Sequence, residues 1–343
     1  MDRVPGVSVA IATLNGARHV REQLDSIAAQ TEKPIEILIG DDGSTDDTIA
    51  IINDFAATTD IPVHVTINPE RLGYGENFMQ TASRAHGTLI AFADQDDFWY
   101  PGRLAAAARA LAEPEPALWV SGWRIVDENL QPLPDRRFHT GFQEKSAAAY
   151  PLFVLHGARM VFKGKLLDYM PADGRPETAF GKGPAHHDEW AHFAAHVVGR
   201  SVHGSEPLTL YRRHATAVSA EAPSTPSRRW LLGRVGEPPN DGVTGAARSR
   251  ASYLRVRAEA PECAPVREQM LAAARYYDQI VPRLERRSQT RNGPTRRTRA
   301  ARMLSGFAHG DYRPLRSGGF GLWILLQDGF ALAVTPNERP MPS

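Results

Sequence analysis

Three carboxylates stand within four residues at the end of an apolar run. Asp94, Asp96 and Asp97 follow the run 89–93, with only Gln95 among them. Carboxylates crowded in this way repel one another unless a cation lies between them. Hard oxygen ligands favour Mg²⁺ or Mn²⁺, and Mg²⁺ is usually held by one or two carboxylates together with phosphate oxygens. The cluster therefore predicts a divalent metal site that binds a diphosphate; a solvated turn before a helix is the alternative.

A second acidic pair, at positions 41 and 42, comes just after another apolar run. Gly43 permits a tight turn there, and Ser44 with Asp47 predicts a capping box that opens a helix. A carboxylate on this turn can also accept a hydrogen bond from the ring N–H of a uracil or thymine, and Asp42 is the candidate. The two interpretations are compatible, because the turn and the cap leave Asp42 to face a ligand.

Strand and helix patterns alternate over the first 110 residues, since each apolar run is followed by a segment with helical spacing. Repeated strand–helix–strand units predict a parallel sheet with helices on both faces, and ligands of such sheets bind beyond the carboxyl ends of the strands. We therefore expect the polar groups after the strands to meet on one rim. The predicted strands are 7–12, 35–39, 61–67 and 89–93, the predicted helices 17–30, 44–55 and 75–85, and the polar groups 13–15, 41–44 and 94–97.

Net charge, cysteine content and the absence of two nucleotide-binding motifs limit the possible functions. The 343 residues include 40 Lys and Arg against 39 Asp and Glu, a net charge of +1, so charge alone indicates no partner. The single cysteine, Cys263, excludes an intrachain disulfide and suits a reducing cytosol. Neither GxGxxG nor a GxxxxGKS-type pattern occurs, so a dinucleotide-binding Rossmann site and a P-loop are not supported.

The C-terminal third differs in character from the rest. Prolines mark a linker after residue 222, a helical pattern covers 266–287, and arginines crowd the segment 283–302. We expect a first domain at residues 1–220 and a helical, Arg-rich extension at 221–343. The N-terminus has no basic segment followed by a long apolar stretch, so no signal peptide is expected.

Several stretches, in order along the chain, resemble the family 2 glycosyltransferases with the GT-A fold. Others are similar, more narrowly, to the rhamnosyltransferase-like branch of that family. The resemblance implies a Rossmann-like, mostly parallel α/β sheet with helices on both faces. It also implies inverting, metal-dependent transfer of a sugar from a dTDP- or UDP-sugar, with rhamnose as one candidate. The family-wide stretches are Val7–Asn15, Gln23–Thr31 and Glu36–Thr48, and the branch-specific ones are Arg71-Leu72-Gly73, Asn77-Phe78 and Phe92–Trp99.

The resemblance implies a donor pocket at the rim. Ala12 and Thr13 would border the nucleoside, and Asp42 would contact its base. Asp94 would lie near the ribose or the metal, and Asp96 would be the main ligand of Mg²⁺ or Mn²⁺.

One position departs from the branch, which often carries a lysine just before Asn-Phe. This chain has Glu76 there. The basic contact that the lysine would make to the diphosphate is then missing or comes from another residue. Arg71 is the donor-binding candidate that this departure affects.

Tyr211-Arg212-Arg213-His214 is similar to a late Tyr-Arg-x-His element of the family. Arg212 is a candidate for the diphosphate oxygens, because a guanidinium matches phosphate geometry. His214 is a candidate to complete the metal shell, with a surface histidine on a loop as the alternative.

An inverting transfer needs a carboxylate that takes the proton of the acceptor hydroxyl. His186-His187-Asp188-Glu189-Trp190 resembles the family's His-Asp-x-Trp segment, which implies Asp188 as the base and leaves Glu189 as the runner-up. The alternative is that Asp188 only caps the helix that follows.

The acceptor that the resemblance implies is a saccharide or lipid-linked saccharide in cell-surface polysaccharide synthesis. The apolar stretch 320–334 is too short and polar to span a bilayer. With the arginines it predicts peripheral contact with the inner face of the plasma membrane, or else a helix packed on the first domain. The protein is otherwise expected in the cytoplasm, without a nucleic-acid partner, because the basic segment has no interleaved aromatics.

Two other functions compete with this interpretation. A nucleotidyltransferase on a related fold would need a lysine-bearing, glycine-rich loop, which is absent from the segment 13–20. A nucleotide-sugar-binding protein without catalysis is the other, although every expected carboxylate is present.

Overall fold

The chain divides into two compact units, each described here by itself. The N-terminal unit comprises Met1–Arg175 and Ala185–Val218, and the C-terminal unit comprises Pro176–Pro184 and Ser219–Ser343. The domain boundary expected at residue 220 stays a prediction, because it falls outside the described residues. The computed structural model describes residues 3–133, 156–179, 181–214, 241–293 and 295–311.

The described part of the N-terminal unit contains an eight-stranded sheet of order β3-β2-β1-β4-β7-β6-β8-β5. The first four strands are mutually parallel. Strand β7 runs antiparallel to both of its neighbours, β8 is parallel to β6, and β5 closes the far edge antiparallel to β8. The strands are β1 Val4–Thr13, β2 Glu36–Asp41, β3 Val63–Ile67, β4 Gly87–Asp94, β5 Phe98–Trp99, β6 Pro116–Val126, β7 Met160–Lys163 and β8 Arg200–Arg212.

The two parallel strands β1 and β2 are buried on both faces, as helical crossovers require. Five consecutive residues of β1, from Val7 to Ile11, are buried, and so are all six residues of β2. Leu24 and Ile27 of the first helix are fully buried in this core. The predicted strands and helices of the first 110 residues are therefore confirmed. The helices of this unit are α1 Val20–Ala28, α2 Thr48–Ala56, α3 Tyr74–Ser83, α4 Arg103–Ala110, α5 Lys165–Tyr169 and α6 His187–Val198.

Strand register brings the polar groups together at one rim. Thr13 pairs with Asp41 across β1 and β2, and Ala12 pairs with Asp94 across β1 and β4. The carboxyl ends of three neighbouring strands thus lie side by side. The predicted convergence of these groups is confirmed.

The predicted capping box at Ser44 and Asp47 is wrong. The Ser44 hydroxyl donates to Oδ1 of Asp41 at 2.5 Å and accepts from the backbone N–H of Asn15 at 2.8 Å. Helix α2 begins at Thr48, whose backbone N–H donates to the carboxylate of Asp46 at 3.1 Å. Ser44 does not cap the helix, because its hydroxyl oxygen already accepts from Asn15 and its proton is donated to Asp41.

Strand β8 is the longest in the sheet and the last in this unit. It pairs in parallel with β6 over nine registered positions, from Pro116↔Arg200 to Val126↔Arg212. Its late residues also pair with β5, where Phe98 lies opposite Leu210. The strand therefore carries its final residues to the turn at 94–97.

The described part of the C-terminal unit contains three long helices, α7 Asp241–Ala258, α8 Arg267–Arg291 and α9 Arg296–Ala308. The helix predicted at 266–287 is confirmed; it begins one residue later, at Arg267, and ends four residues later, at Arg291. The guanidinium of Arg250 lies 5.8 Å from the ring centre of Tyr277, between α7 and α8. None of the helices in the described residues is long and apolar enough to cross a membrane. The predicted linker after 222 and the apolar stretch 320–334 lie outside the described residues.

Candidate active site

The turn after β2 is organised around the buried carboxylate of Asp41. It accepts hydrogen bonds from the Thr13 hydroxyl at 2.8 Å and from the backbone N–H groups of Gly43 and Ser44 at 3.0 and 2.7 Å. Gly43 has φ +84°, a conformation that glycine adopts without strain. Thr13 and Ala12 thus lie where β1 meets this turn, as the nucleoside-bordering assignment requires.

Asp42 holds the segment that precedes helix α3. Its carboxylate accepts from Nδ2 of Asn68 at 2.7 Å and from the backbone N–H groups of Leu72 and Gly73 at 3.2 and 2.8 Å. These contacts fix the backbone of the two residues that follow Arg71, whose side chain is exposed. Asp42 is therefore at the rim, although its carboxylate already has protein partners.

Asn77 ties α3 to the same strand. Its Nδ2 donates to the carbonyl of Gly40 at 2.8 Å, and its Oδ1 accepts from Asn68 at 3.1 Å. A Cβ on Gly40 would lie only 2.1 Å from Oδ1 of Asn77. A glycine is needed at this position because the amide crosses directly over the strand.

The acidic turn after β4 is joined to the end of β1 by Gln95. The Gln95 side chain accepts from the backbone N–H of Leu14 at 3.0 Å and donates to its carbonyl at 3.1 Å. This two-point contact fixes the carboxylates on either side of Gln95 relative to the Thr13 end of the strand.

The carboxylates of the turn perturb one another strongly. Burial raises the pKa of Asp94 to about 7, and the charges of Asp96 and Asp188 add to the rise. Burial, followed by the charges of Asp94 and Asp96, also raises the pKa of Asp97 well above its ordinary value. Oδ2 of Asp97 is buried and has no hydrogen-bond partner among the described residues. A divalent cation beside this cluster would remove the repulsion, so the donor set fits Mg²⁺ or Mn²⁺.

His214 reaches the acidic turn from the end of β8. Its Nε2 lies 2.7 Å from Oδ2 of Asp96. His19, just before α1, stacks at a tilt on His214 with ring centres 5.3 Å apart, and burial lowers the pKa of His19. In the described part of the chain no three His, Cys, Asp or Glu side chains form a preassembled metal group. Two protein ligands suit a cation that completes its shell with phosphate and water oxygens.

Arg212 has partners other than a ligand. Its guanidinium is 2% exposed. Nε donates to the carbonyl of Asp96 at 2.7 Å, Nη1 to the carbonyl of Glu128, and Nη2 to the carboxylate of Glu22. The group is buried and each nitrogen is engaged by the protein, so a diphosphate contact of Arg212 would have to replace one of these bonds; that contact stays a prediction.

Asp188 lies in the first turn of α6, facing the same rim. Its Oδ1 accepts from the backbone N–H of Glu189 at 2.8 Å. Burial raises the pKa of Asp188, while this hydrogen bond and the charges of His156 and His186 oppose the rise. The runner-up, Glu189, is only 4% exposed. Of the two carboxylates, Asp188 has the greater access to a ligand.

Tyr74 also lies in this region, and sequence analysis did not assign it to the site. The Tyr74 hydroxyl lies 2.8 Å from Nδ1 of His186. Burial raises the pKa of Tyr74, and the charges of Asp188 and Asp94 raise it further, so the phenol lies close to both carboxylates. No motif pointed to Tyr74; only the juxtaposition of α3 and α6 identifies it.

Glu76, which replaces the expected lysine, is neutralised by a buried arginine. Nη2 of Arg175 donates to its carboxylate at 2.5 Å, and the Arg175 side chain is 2% exposed. The carboxylate also accepts from Gln80 at 2.9 Å. With glutamate in place of lysine, α3 has no cation at this position. Arg71 is an exposed cation that precedes the helix.

Comparison with known proteins gives matches in sequence and in fold. The family model described as Glycosyl transferase family 2 matches residues 8–170. An uncharacterized protein of Mycobacterium tuberculosis (strain ATCC 25618 / H37Rv) is 27% identical over 234 residues, which are 65% of this chain and 63% of that protein. The dTDP-rhamnosyl transferase RfbG of Shigella flexneri is 33% identical over 105 residues, 29% of this chain and 36% of its own length. The chain thus spans 63% of the first of these relatives.

Among solved structures, that of S. aureus TarS 1-349 in complex with UDP-GlcNAc superposes with a TM-score of 0.51 at 17% identity. The superposition covers 90% of this chain and 93% of that one. The likeness confirms the expected GT-A fold, in which a mixed α/β sheet is followed by C-terminal helices. The family model matches residues 8–170, and the fold is similar to that of this solved structure.

Proposed function

We propose that the protein is an inverting, metal-dependent glycosyltransferase that uses a uridine or thymidine diphosphate sugar. The supporting observation is the meeting, on one rim of a family 2 domain, of the Asp96–His214 pair with the carboxylate of Asp188. The charge of Asp188 contributes to the raised pKa of Asp94, which supports the proximity of the two clusters. A donor held at the Asp96–His214 pair would then lie next to an acceptor deprotonated by Asp188.

Asp96 and His214 would hold the cation, with Asp94 beside them. The bound Mg²⁺ or Mn²⁺ would neutralise the charge of the leaving diphosphate. Ala12 and Thr13 would border the nucleoside and Asp42 its base, through whatever acceptor capacity its protein partners leave. Arg71, exposed beside α3, is the cation that would meet the diphosphate.

Asp188 would act as the base. Burial has raised its pKa, so its carboxylate is a stronger proton acceptor than an ordinary aspartate. It would take the proton of the acceptor hydroxyl as the oxygen attacks the anomeric carbon from the side opposite the diphosphate. Tyr74, whose pKa is raised by burial and by the charges of Asp188 and Asp94, and its partner His186 would border the transferred sugar.

The donor and acceptor follow from similarity alone. The likeness to the dTDP-rhamnosyl transferase of Shigella flexneri makes dTDP-rhamnose the first donor to test, with UDP-sugars as the alternatives. The acceptor would be a saccharide or lipid-linked saccharide of the cell surface.

The C-terminal unit would bring the enzyme to a membrane surface that carries such an acceptor. Leu304 and Phe307 of α9 are 72% and 64% exposed, and exposed Arg297 and Arg302 lie on the same helix. Apolar and cationic side chains together suit an anionic bilayer. Sedimentation with phosphatidylglycerol vesicles tests this, and unchanged binding by Leu304→Ser/Phe307→Ser would contradict it.

A thermal-shift screen of dTDP- and UDP-sugars with Mn²⁺ tests the function directly. A donor at about 100 times its Kd stabilises the protein by about 2.7 kcal/mol. The identified donor is then assayed for transfer or hydrolysis with the wild type, with Asp188→Asn, and with Asp25→Asn as a surface control. We expect Asp188→Asn to bind the donor but not transfer its sugar. Stabilisation by no nucleotide sugar, together with no turnover, would contradict the proposal.

A further inference from the structure

The side chain of Arg212 acts on the acidic turn through the backbone. Its Nε donates to the carbonyl of Asp96, while the Asp96 carboxylate is approached by His214 instead. The guanidinium therefore places a positive charge beside the carboxylate cluster without occupying the Asp96 oxygens. His214 approaches one of those oxygens, Oδ2, at 2.7 Å.

The other two contacts of Arg212 anchor it to separate parts of the N-terminal unit. One nitrogen bonds the carboxylate of Glu22 in α1, and another bonds the carbonyl of Glu128 after β6. A guanidinium holds three directed partners in one plane, which an ammonium group cannot do. The turn is thus fixed relative to a helix and a strand.

The backbone of the same residue adds a further contact. The N–H of Arg212 donates to Oδ1 of Asp97 at 3.2 Å. Two residues further along, His214 reaches Asp96. Contacts of Arg212 thus fix both the main chain of Asp96 and the side chain of Asp97.

We infer that Arg212 is a positioning residue: its contacts with Asp96, Glu22 and Glu128 hold the Asp96 carboxylate beside His214 in the geometry that a divalent cation requires. The inference rests on the proposed metal function, and it replaces a direct contact between Arg212 and the donor diphosphate.

Glu22 allows the two roles to be separated, because it is 46% exposed and touches Arg212 without belonging to the acidic turn. Glu22→Gln removes the charged partner of Arg212, and Arg212→Lys keeps the charge but not the three directed donors. Arg21→Gln is the matched control, since Arg21 lies next to Glu22 on α1 and pairs only with Asp25 among the described residues. Mn²⁺ binding by the full chain is measured by electron paramagnetic resonance, alone and with UDP or dTDP. Binding of UDP and dTDP in EDTA is measured by calorimetry.

If Arg212 positions Asp96, both Glu22→Gln and Arg212→Lys weaken Mn²⁺ binding roughly tenfold, as loss of an outer support of a metal ligand does. Nucleotide binding in EDTA and the melting temperature of Glu22→Gln stay at wild-type values, and Arg21→Gln changes neither affinity. If Arg212 instead binds phosphate, Glu22→Gln releases it and strengthens nucleotide binding in EDTA, while Mn²⁺ affinity is unchanged. That second pattern would overturn the inference.

Asp96→Ala distinguishes this inference from the proposed function. Mn²⁺ binding that is lost in Asp96→Ala but unchanged in Glu22→Gln and Arg212→Lys would overturn the positioning role alone. Mn²⁺ binding absent from the wild type, or unchanged in Asp96→Ala, would overturn the proposed metal site and the inference with it.

Discussion

Nε2 of His214 lies 2.7 Å from Oδ2 of Asp96, although 118 positions separate the two residues in the chain. The contact joins the loop after the last strand of the sheet to the acidic turn in its middle. It also gives the turn a nitrogen ligand of the kind that Mn²⁺ accepts alongside oxygen.

Removing either partner of this contact is expected to impair metal-dependent turnover. Asp96→Ala should abolish the stimulation of donor hydrolysis by Mn²⁺, and His214→Gln should weaken Mn²⁺ affinity by roughly tenfold or more. Hydrolysis rates over a Mn²⁺ titration measure both. His309→Gln, at an exposed position in the C-terminal unit, should behave as the wild type. Full Mn²⁺ stimulation in Asp96→Ala would remove Asp96 from the metal site.

The pH dependence of transfer should report the raised pKa of Asp188. A base must be ionised, so activity is low below its pKa and rises with pH through it. Because burial raises this pKa, the acidic limb of kcat/KM should lie above the ordinary range of a carboxyl group. The charge of His156 lowers the pKa of Asp188, so His156→Gln should move the limb to higher pH. A limb that does not move, or moves to lower pH, would argue for another base.

His187 should make the N-terminal unit sensitive to acid. Burial, followed by the charges of His186 and Arg175, lowers its pKa to about 3. The unfolded chain binds a proton near pH 6.5, whereas the folded chain does not until about pH 3. Stability should therefore fall as pH decreases across that window, by roughly a factor of ten in the folding constant per pH unit.

His187→Phe tests the origin of this loss, since His187 is stacked on Phe78 with ring centres 4.2 Å apart and an aromatic replacement suits the site. Urea unfolding followed at pH 7 and pH 5 should show a smaller decrease for the variant than for the wild type. His309→Gln serves as the control. Equal decreases in the wild type and His187→Phe would assign the acid sensitivity to the carboxylates instead.

Gly40→Ala should destabilise the N-terminal unit, because it disturbs the packing of α3 on β2. The new methyl would displace the Asn77 amide, with the loss of its hydrogen bonds to the Gly40 carbonyl and to Asn68. We expect a cost of about 2 kcal/mol in the free energy of unfolding, measured in urea. Gly102→Ala is the matched control, because a Cβ there meets nothing within 4 Å. Similar stabilities for the two variants would contradict the packing described for Asn77.

Sequence patterns predicted the first half of the sheet well, for a physical reason. Strands β1, β2 and β4 are buried on both faces, so their apolar runs are continuous, and the crossover helices between them are local in sequence. The pairing of β6 with β8 and the insertion of β7 next to β4 were not predicted. These contacts join distant segments, and no local pattern specifies the partner of a strand.

Some features of the candidate site were also predicted from the sequence, and others were not. The strand ends at Thr13, Asp41 and Asp94 were placed correctly, because register in a parallel sheet fixes them. The capping box at Ser44 was wrong, because the turn uses that hydroxyl to accept from Asn15. Every nitrogen of the Arg212 guanidinium donates to the protein, which the sequence did not predict. Residue type reveals what a side chain can bind, but its neighbours decide which partner it has.

Strand β8 also affects the order in which the molecule can be assembled. A chain that emerges from its N-terminus carries the turn at 94–97 for more than a hundred residues before Arg212 and His214 follow. Until β8 enters between β6 and β5, its place in the sheet is open and the acidic turn lacks its contacts with Arg212 and His214. One insertion therefore completes the sheet and compensates the acidic turn together. A nascent or truncated chain should remain inert until that strand is in place.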